Sequence, residues 1–510
     1  YIRKKYPQFE VISSHEVTRE WREYERTSST VLSAYVKPIA TKYLNNLTAN
    51  LEQLGYRNNL YIMQSNGGIT TVEDVKANPI TLIESGPASG MLGAVVLGNT
   101  IGKENLIVLD IGGTTAKCSL IENGALKIVT TYNIEHTKTQ AGFPILTPVI
   151  DIVEIGNGGG SIAWLDEGGK MRVGPKSAGA NPGPASYGND GTNFTTTDAN
   201  VVCNRIHKDY FLGGQQLPDM NSLKKAVAPL CQALDMDLEE VARGVIRIAN
   251  SNMVNALKSV SVNKGYDPRD FSLVVIGGGG PMHGAYLAEE LQIPEVIVPL
   301  NAGVFSAFGM LMSDLRRDYI RTEVSGLSQD RTAHIRGTFK EMEQVGIDAY
   351  VRDNYQPGDI RFEYYLDLRY EGQEHSVKLR LDQTDEIDIA QVESNFHLLH
   401  QKRFAFELKG TGIEIVNFHL VAEVEVNKPV IAKIPVTGKM LSDALLTKDK
   451  VDYDELGVHL STFYDREGLE PGMEVPGPAI IVESSTSTVV PPKHHMTVDS
   501  YGNLIIYKTT

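Results

Sequence analysis

Two long segments of the chain repeat apolar residues at the spacing of an α-helix. From 27 to 54 the apolar positions recur every three or four residues, interrupted by Pro38, and predict a helix with one apolar face. A second stripe covers residues 238–260. Asp237 before it and Glu240 within its first turn form a capping box, which predicts where this helix begins.

The segment from residue 105 to 325 combines strands and helices in a fixed order. Three apolar runs separated by glycine-containing turns predict consecutive antiparallel strands at 106–109, 116–121 and 125–132. The long helix, a strand at 271–276, a helix at 283–291 and a strand at 295–298 follow. A Rossmann unit needs a helix after its first strand. This order instead predicts an α/β fold with a ribonuclease-H-like core, on which actin-like ATPases are built.

The pattern changes after about residue 325. Residues 360–370 alternate strictly between apolar and polar and predict one long strand. The strand predicted at 413–426 changes its apolar phase near Val416, which indicates a bulge. Short strands separated by Pro and Gly turns are predicted at 479–482, 487–490 and 504–507.

Length and pattern together predict three domains. We expect a helical and linking part at 1–104, a ribonuclease-H-like nucleotide-binding domain at 105–325 and a β-rich C-terminal domain at 326–510.

Composition limits the classes of partner and compartment. The net charge is −15, which argues against nucleic acid or an anionic membrane surface as the main partner. No run approaches the roughly 18 apolar residues of a membrane span.

The three cysteines are too scattered for a disulfide framework, so a reducing cytoplasm is expected. The chain begins at Tyr1, which we interpret as an internal starting point.

The segment 110–115, Asp-Ile-Gly-Gly-Thr-Thr, is the most informative for chemistry. Gly112 and Gly113 carry no side chain, so backbone N–H groups in this turn can approach phosphate oxygens closely. Thr114 and Thr115 can donate hydroxyls to the same oxygens. Asp110 follows a buried strand, and its carboxylate can hold a hydrated Mg²⁺. The alternative is a tight hairpin in which Asp110 forms an Asx turn.

Two further glycine loops accompany this turn. Gly277, Gly278, Gly279 and Gly280 lie between a strand and a helix, where a nucleoside can pass close to the backbone and the helix start can accept anions. Close strand–helix packing is the alternative. The loop at 156–160 contains Gly158 and Gly159 and follows Asp151. That carboxylate could bind the metal or position a water, or it could be solvated or capping.

Motifs along nearly the whole chain resemble those of the hydantoinase A/oxoprolinase family. They include IMQSNGG (62–68), SGPASG (85–90), DIGGTTAKCSLI (110–121), DIVEIGNGGGSIAW (151–164), VGPKSAGANPGPASYG (173–188), GGGGPMHG (277–284) and GPAIIVESSTSTVVPP (477–492). The resemblance implies an ATP-dependent branch of the actin-like superfamily. Members act with a B-type subunit or domain on cyclic amides such as hydantoins, 5-oxoproline and lactams.

The resemblance also implies roles and an incomplete site. By the resemblance, DIGGTT is the second phosphate loop of an ATP site and GGGGPMHG is its adenosine-side loop. Together with the argument from the residues, this makes Asp110 and Asp151 the catalytic candidates and Asp110 the candidate Mg²⁺ ligand. Such families carry an additional Asp-x-Gly-Gly-Thr hairpin near their N-terminus, and this sequence has only one. We therefore expect that half of the core to lie upstream of Tyr1.

Two alternatives to the cyclic-amide hydrolase stay open. The same ATP core occurs in nucleotide-binding subunits of ketone carboxylases. A non-enzymatic, actin-like nucleotide-binding scaffold is the second alternative.

Overall fold

A computed structural model of the chain describes residues 1–134 and 140–509. It divides into two compact units, each assembled from three separate stretches. Unit 1 comprises Tyr1–Ala88, Ile128–Val149 and Ser313–Lys428, and unit 2 comprises Ser89–Lys127, Ile150–Met312 and Pro429–Thr510. These units divide the chain differently from the three contiguous domains that we expected. Both combine α-helices and β-sheets.

A nine-stranded sheet forms the framework of unit 2. Leu106–Ile111 lies in its middle, antiparallel to Ala116–Glu122 on one side and parallel to Ser272–Ile276 on the other. Val296–Val298 continues the sheet in the parallel direction. The remaining strands of this sheet are Ala125–Leu126, Val153–Ile155, Leu504–Lys508, His494–Val498 and Glu474–Pro476.

The third predicted strand is shorter than expected. Of the predicted strand, only Ala125–Leu126 pairs with Ala116–Glu122. The chain leaves the sheet there, and Ile128–Ile134 pairs with Phe143–Ile150 in a separate two-stranded sheet. The prediction of one continuous strand at 125–132 was wrong. Residues 125–126 and 128–132 are both extended, so their local pattern looks like one strand, but long-range pairing places them in different sheets.

The long helix of unit 2 confirms its sequence signals. It spans Leu238–Val260, and Asp237 and Glu240 form the reciprocal capping box through hydrogen bonds of 2.7 and 2.9 Å. Its apolar face is buried in the main core of the unit together with the central strands. Burying such a stripe drives the helix onto the sheet.

Smaller elements complete unit 2. The other helices are Ser85–Ile101 (in this unit from Ser89 on), Thr196–Val202, Met220–Leu234, Gly280–Leu291 and Phe305–Leu311. A four-stranded sheet contains Leu445–Asp452, Val458–Asp465, Ala479–Val482 and Ser487–Val490, and a hairpin joins Ser161–Leu165 to Met171–Ser177. The residues after 429 thus belong to the same compact unit as the glycine loops.

Unit 1 is built on a six-stranded sheet. Its strands, in spatial order, are Tyr61–Met63, Ile69–Thr71, Leu315–Gly326, Ile413–Val424, Ile360–Tyr370 and Val377–Leu381. The predicted bulge is confirmed, because Leu368 pairs with Ile415 while Asp367 pairs with Asn417, which leaves Val416 without an opposite residue. The helices are Ile2–Lys5, Ser14–Val17, Glu23–Gln53, Val72–Ala77, Thr332–Arg352 and Ile389–Phe404.

The helix Glu23–Gln53 exposes several of the apolar residues that predicted it. Val31, Tyr35, Ile39 and Tyr43 are all more than half exposed. The buried face instead carries Ser29, Ser33, Ala40 and Leu44. Spacing predicted the helix correctly, but it did not determine which face packs, since small residues allow closer approach than large ones.

A buried charge network lies on one face of the unit 1 sheet. Asp318 accepts hydrogen bonds from Arg316 (2.9 and 3.0 Å), His419 (2.6 Å) and Asn66 (2.7 Å). Although burial opposes ionisation, these partners, Arg316 foremost, hold the pKa of Asp318 well below its usual range. Asp318 is therefore a buried carboxylate that its partners keep charged.

Replacing Asp318 by Asn is expected to destabilise the protein by about 3–5 kcal/mol, because Arg316 would lose its main counter-ion in a buried site. Urea unfolding followed by circular dichroism measures the loss. The matched control is Glu341→Gln, which removes the partner of Arg321 in an exposed ion pair of 2.7 Å and should cost less than about 1 kcal/mol. Equal losses in the two variants would contradict the interpretation.

Candidate functional site

The hairpin after strand Leu106–Ile111 presents glycines that its own fold does not require. A Cβ on Gly113 would meet no heavy atom within 4 Å, and one on Gly112 would meet only Thr115 O at 3.9 Å. Neither glycine has a left-handed backbone conformation. The open space at these positions is therefore available to a ligand that approaches the backbone.

Donors in the same hairpin are unused. Gly112 N donates to Thr115 O at 3.0 Å and closes the turn. In the part of the chain that the structure describes, the N–H groups of Gly113 and Thr114 and the hydroxyls of Thr114 and Thr115 make no hydrogen bond. Adjacent free N–H groups in a turn form a concavity that suits an anion such as phosphate.

The second glycine loop packs directly against this hairpin. Gly159 N donates to Gly112 O at 3.0 Å, and Gly160 N donates to Gly113 O at 2.6 Å. A Cβ on Gly158 would lie 2.6 Å from Gly112 O, so this glycine is needed for packing. The two loops thus form one surface.

The third glycine loop lies beside Asp110. A Cβ on Gly277 would overlap Asp110 Oδ1, and the residue also has φ +77°. Gly279 N donates to Ile111 O at 2.9 Å. The helix Gly280–Leu291 begins immediately afterwards. The structure therefore brings together three loops that lie far apart in the sequence, at 110–115, 156–160 and 277–280.

A cavity of about 240 Å³ lies along these loops within unit 2. Gly112, Gly113, Gly159, Gly278 and Gly279 line one part of it. The rest is lined by aromatic and apolar side chains and by the C-terminal segment: Tyr187, Tyr210, Phe211, Met282 and residues 483–487. Such a mixture of backbone donors and aromatic walls is typical of a small-molecule pocket.

Sequence reasoning missed the contribution of residues 483–487. Thr486 Oγ1 donates to Gly278 O at 2.9 Å and attaches this segment to the third glycine loop. Glu483 lines the cavity, and burial raises the pKa of its carboxyl, against the opposing charge of Arg466. The segment lies in the family-like motif 477–492, but nothing local indicates which loop it contacts.

The carboxylate of Asp110 is partly buried and makes no hydrogen bond in the described residues. Burial raises its pKa, while the charge of Lys117 opposes that shift. Lys117 also pairs with Glu154 at 3.4 Å. A carboxylate that makes no hydrogen bond in the described residues, beside a turn whose N–H groups are also unbonded there, fits a hydrated divalent cation that also contacts phosphate.

Asp151 lies in a different environment. Its Oδ2 forms ion pairs with Lys264 at 2.8 Å and Lys127 at 3.0 Å. Despite the opposing effect of burial, these lysines lower its pKa. No hydrogen bond joins its side chain to a glycine loop in the described chain. The observed contacts of the Asp151 carboxylate are therefore two ion pairs, and its catalytic role stays a prediction.

Among residues 1–134 and 140–509, no group of three or more His, Cys, Asp or Glu side chains is arranged to hold a metal ion. No described helix combines the length and the apolarity needed to cross a bilayer.

Comparison with known proteins identifies the family. The Hydantoinase/oxoprolinase model matches residues 26–319, and the model of the Hydantoinase/oxoprolinase C-terminal domain matches residues 326–510. The chain belongs to the hydantoinase/oxoprolinase family, as its motifs predicted.

Two relatives and one crystal structure illustrate the range of proteins that this chain resembles. Caprolactamase subunit alpha of Pseudomonas jessenii is 32% identical over 98% of the chain and 72% of that protein. The acetophenone carboxylase gamma subunit of Aromatoleum aromaticum is 29% identical over 99% of the chain and 70% of that protein. The crystal structure of the ATP-dependent caprolactamase from P. jessenii superposes with a TM-score of 0.84 at 29% identity, covering 100% of this chain and 74% of that one.

Proposed function

We propose that this chain is the A-type subunit of an ATP-dependent cyclic-amide hydrolase that works with a B-type partner. The observation that carries the proposal is the open space at Gly113 beside the carboxylate of Asp110, which makes no hydrogen bond within residues 1–134 and 140–509. A ligand rich in anionic oxygen, together with a divalent cation, would satisfy both features. The similarity to an ATP-dependent caprolactamase supports ATP as that ligand.

Each part of the site would have a separate task. The hairpin at Gly112–Thr115 would hold phosphate oxygens through free N–H and hydroxyl groups, and Asp110 would hold a hydrated Mg²⁺. The third glycine loop and the aromatic wall of the cavity would hold the nucleoside. ATP with Mg²⁺ supplies the phosphoryl group that converts an unreactive ring carbonyl oxygen into a leaving group. Fixed backbone donors favour this transfer because they need no reorganisation.

The sheet of unit 2 supports an actin-like core. On one side of Leu106–Ile111 lies the antiparallel strand Ala116–Glu122, and Ala125–Leu126 is antiparallel to that strand in turn. Two parallel strands lie on the other side. This is the order expected when three hairpin-connected strands precede two strand–helix units, as in ribonuclease-H-like proteins. The proposed nucleotide lies at the ends of these central strands.

A carboxylase subunit is the second candidate. The acetophenone carboxylase relative matches the chain over nearly the same length as the caprolactamase relative. Both similarities cover the glycine loops, so similarity does not distinguish cyclic-amide hydrolysis from ketone carboxylation. The substrate that stimulates ATP turnover distinguishes the two reactions. A scaffold without turnover is the third candidate, since it would need nucleotide binding alone.

Substrate-stimulated ATP turnover tests the proposal. The chain, purified together with the B-type subunit from its own source, is assayed for ADP release with hydantoin, 5-oxoproline and ε-caprolactam. At least one cyclic amide should raise the rate about tenfold or more, because productive binding of the phosphoryl acceptor is needed for transfer. Stimulation by ketone with bicarbonate alone would establish the carboxylase instead. Nucleotide binding without stimulation by either substrate class would favour the scaffold.

A further inference from the structure

The wall of the unit 2 cavity contains a buried carboxylate. Glu483 lines the cavity together with Gly278 and Gly279, and its side chain is 8% exposed. It begins a turn in which its backbone N–H donates to Thr486 O at 2.9 Å. Thr486 Oγ1 donates to Gly278 O at 2.9 Å. The turn is therefore attached to the third glycine loop, and Glu483 has a defined position beside that loop.

The counter-ion of Glu483 is also buried. Arg466 Nε lies 3.7 Å from Glu483 Oε1, and the arginine side chain is 5% exposed. The guanidinium also donates to Gly502 O. Glu483 Oε1 and Arg466 Nε make no hydrogen bond in the part of the chain that the structure describes. The two charges attract each other, but they are too far apart to satisfy each other through a hydrogen bond.

Folding alone does not explain this ion pair. Removing two charges from water costs more free energy than their attraction contributes, unless hydrogen bonds also satisfy them. Arg466 opposes the rise in pKa that burial imposes on the Glu483 carboxyl, so it favours the charged form. A buried polar group that lacks hydrogen bonds marks a place where a ligand or an ion completes the network. The ion pair therefore indicates a binding role for the carboxylate.

The two oxygens of the carboxylate have different surroundings. Oε1 is enclosed and faces Arg466. Oε2 makes no hydrogen bond in residues 1–134 and 140–509 either, but it is not enclosed. Because Glu483 lines the cavity, Oε2 is the oxygen that can accept a hydrogen bond from a bound molecule.

We propose that Glu483 accepts a hydrogen bond from a ribose hydroxyl of the bound nucleotide and thereby selects ribonucleotides over deoxyribonucleotides. An ionised carboxylate only accepts hydrogen bonds. The 2′- and 3′-hydroxyls of ribose are both donors, whereas the edge of adenine places an acceptor, N1, beside its N6 donor. Acidic side chains recognise ribose in the same way in dinucleotide-binding proteins.

The place of Glu483 in the cavity suits this role. Gly112 and Gly113 line the part proposed for phosphate, and aromatic side chains line the part proposed for the base. Ribose joins these two parts of a nucleotide. The third glycine loop, to which the turn of Glu483 is attached, is the loop proposed to hold the nucleoside.

This inference rests on the ATP site of the proposed function, but not on its substrate or partner. It concerns which nucleotide binds, whereas the turnover assay concerns which substrate accepts the phosphoryl group. Equal binding of deoxynucleotides would refute the role of Glu483 and leave the hydrolase proposal intact. Absence of ATP binding would refute both.

Calorimetric titration of three nucleotides with Mg²⁺ tests the proposal on the complex with the B-type subunit, without amide or ketone substrate. ATP is compared with 2′-deoxy-ATP and 3′-deoxy-ATP. At least one deoxy analogue should bind about tenfold or more weakly than ATP, because it loses a hydrogen bond to a charged acceptor. Equal affinities for all three would overturn the proposal. Tighter binding of GTP than of ATP would also overturn it, because guanine offers adjacent N–H donors and the carboxylate would then face a base.

A double variant assigns the discrimination to Glu483. Arg466→Met/Glu483→Leu replaces both charges by apolar side chains, a change that buried ion pairs often tolerate. The preference for ATP should fall to about twofold or less, because the acceptor is lost. The matched control, Arg369→Met/Glu414→Leu, removes an ion pair of 2.9 Å in unit 1 and should leave the preference unchanged. Undiminished preference in the folded Arg466→Met/Glu483→Leu protein would overturn the role of Glu483.

Glu483→Asp decides the question if the double variant does not fold. It keeps a negative charge near Arg466 but shortens the side chain by one methylene group, so the carboxylate would no longer reach the ribose. The preference for ATP over the deoxy analogue should again be lost. A folded Glu483→Asp protein with the wild-type preference would contradict the proposal.

Discussion

Replacing Asp110 by Asn is expected to lower ATP turnover by about 100-fold or more and to remove the Mg²⁺ dependence of nucleotide binding. The carboxylate of Asp110 makes no hydrogen bond in the described chain. Its replacement therefore breaks no native contact and should leave folding intact. The amide keeps the size of the side chain but removes the negative charge that would bind the cation. Calorimetric titration of ATP at several Mg²⁺ concentrations measures the loss of metal-dependent binding.

Two other carboxylates serve as controls for Asp110. Glu154→Gln removes the partner of Lys117 and should change turnover little. Asp151→Asn breaks ion pairs with Lys127 and Lys264. If Asp151 acts only through these pairs, the variant loses stability while Mg²⁺ dependence is retained. A loss of turnover equal to that of Asp110→Asn would support the predicted catalytic role. Wild-type Mg²⁺ dependence in Asp110→Asn would contradict our assignment of the metal ligand.

Local signals were sufficient for the hairpin and the long helix of unit 2. The glycines at 112 and 113, the strand before them and the capping box at Asp237 act within a few residues of one another. Nearest-neighbour sterics and hydrogen bonding decide such features. The sequence therefore predicted the position of this turn, and its phosphate-binding chemistry stays a prediction.

Long-range features could not be predicted in the same way. Residues 429–510 appeared to be part of a separate β-rich domain, yet Thr486 contacts Gly278 and belongs to the same unit. The sheet that contains Leu106–Ile111 also contains Leu504–Lys508. Strand patterns specify that a segment is extended and half-buried, but they do not specify its partner across hundreds of residues. This is why the C-terminal wall of the cavity was missed.

The glycines of the site fall into two groups according to which protein atoms a Cβ at each position would contact. Gly158 and Gly277 have protein atoms in the space of a Cβ, so folding alone accounts for them. Gly113 has open space there and an ordinary backbone conformation. A methyl group at Gly113 would thus cost the fold little, but it would occupy the space through which phosphate must approach the free N–H groups.

Gly113→Ala is accordingly expected to fold like the wild type and to weaken ATP binding by about tenfold or more, since phosphate would lose close contact with backbone donors worth about 1.5–3 kcal/mol each. Thermal unfolding and ATP titration measure the two properties on the same sample. Gly358→Ala is the matched control, because its Cβ also meets no atom within 4 Å and it lies in unit 1, away from the loops. Unchanged ATP affinity in Gly113→Ala would mean that phosphate does not approach this turn. A large loss of stability would mean instead that the glycine is structural. Weakened binding with unchanged stability is the combination that only a ligand at this turn explains.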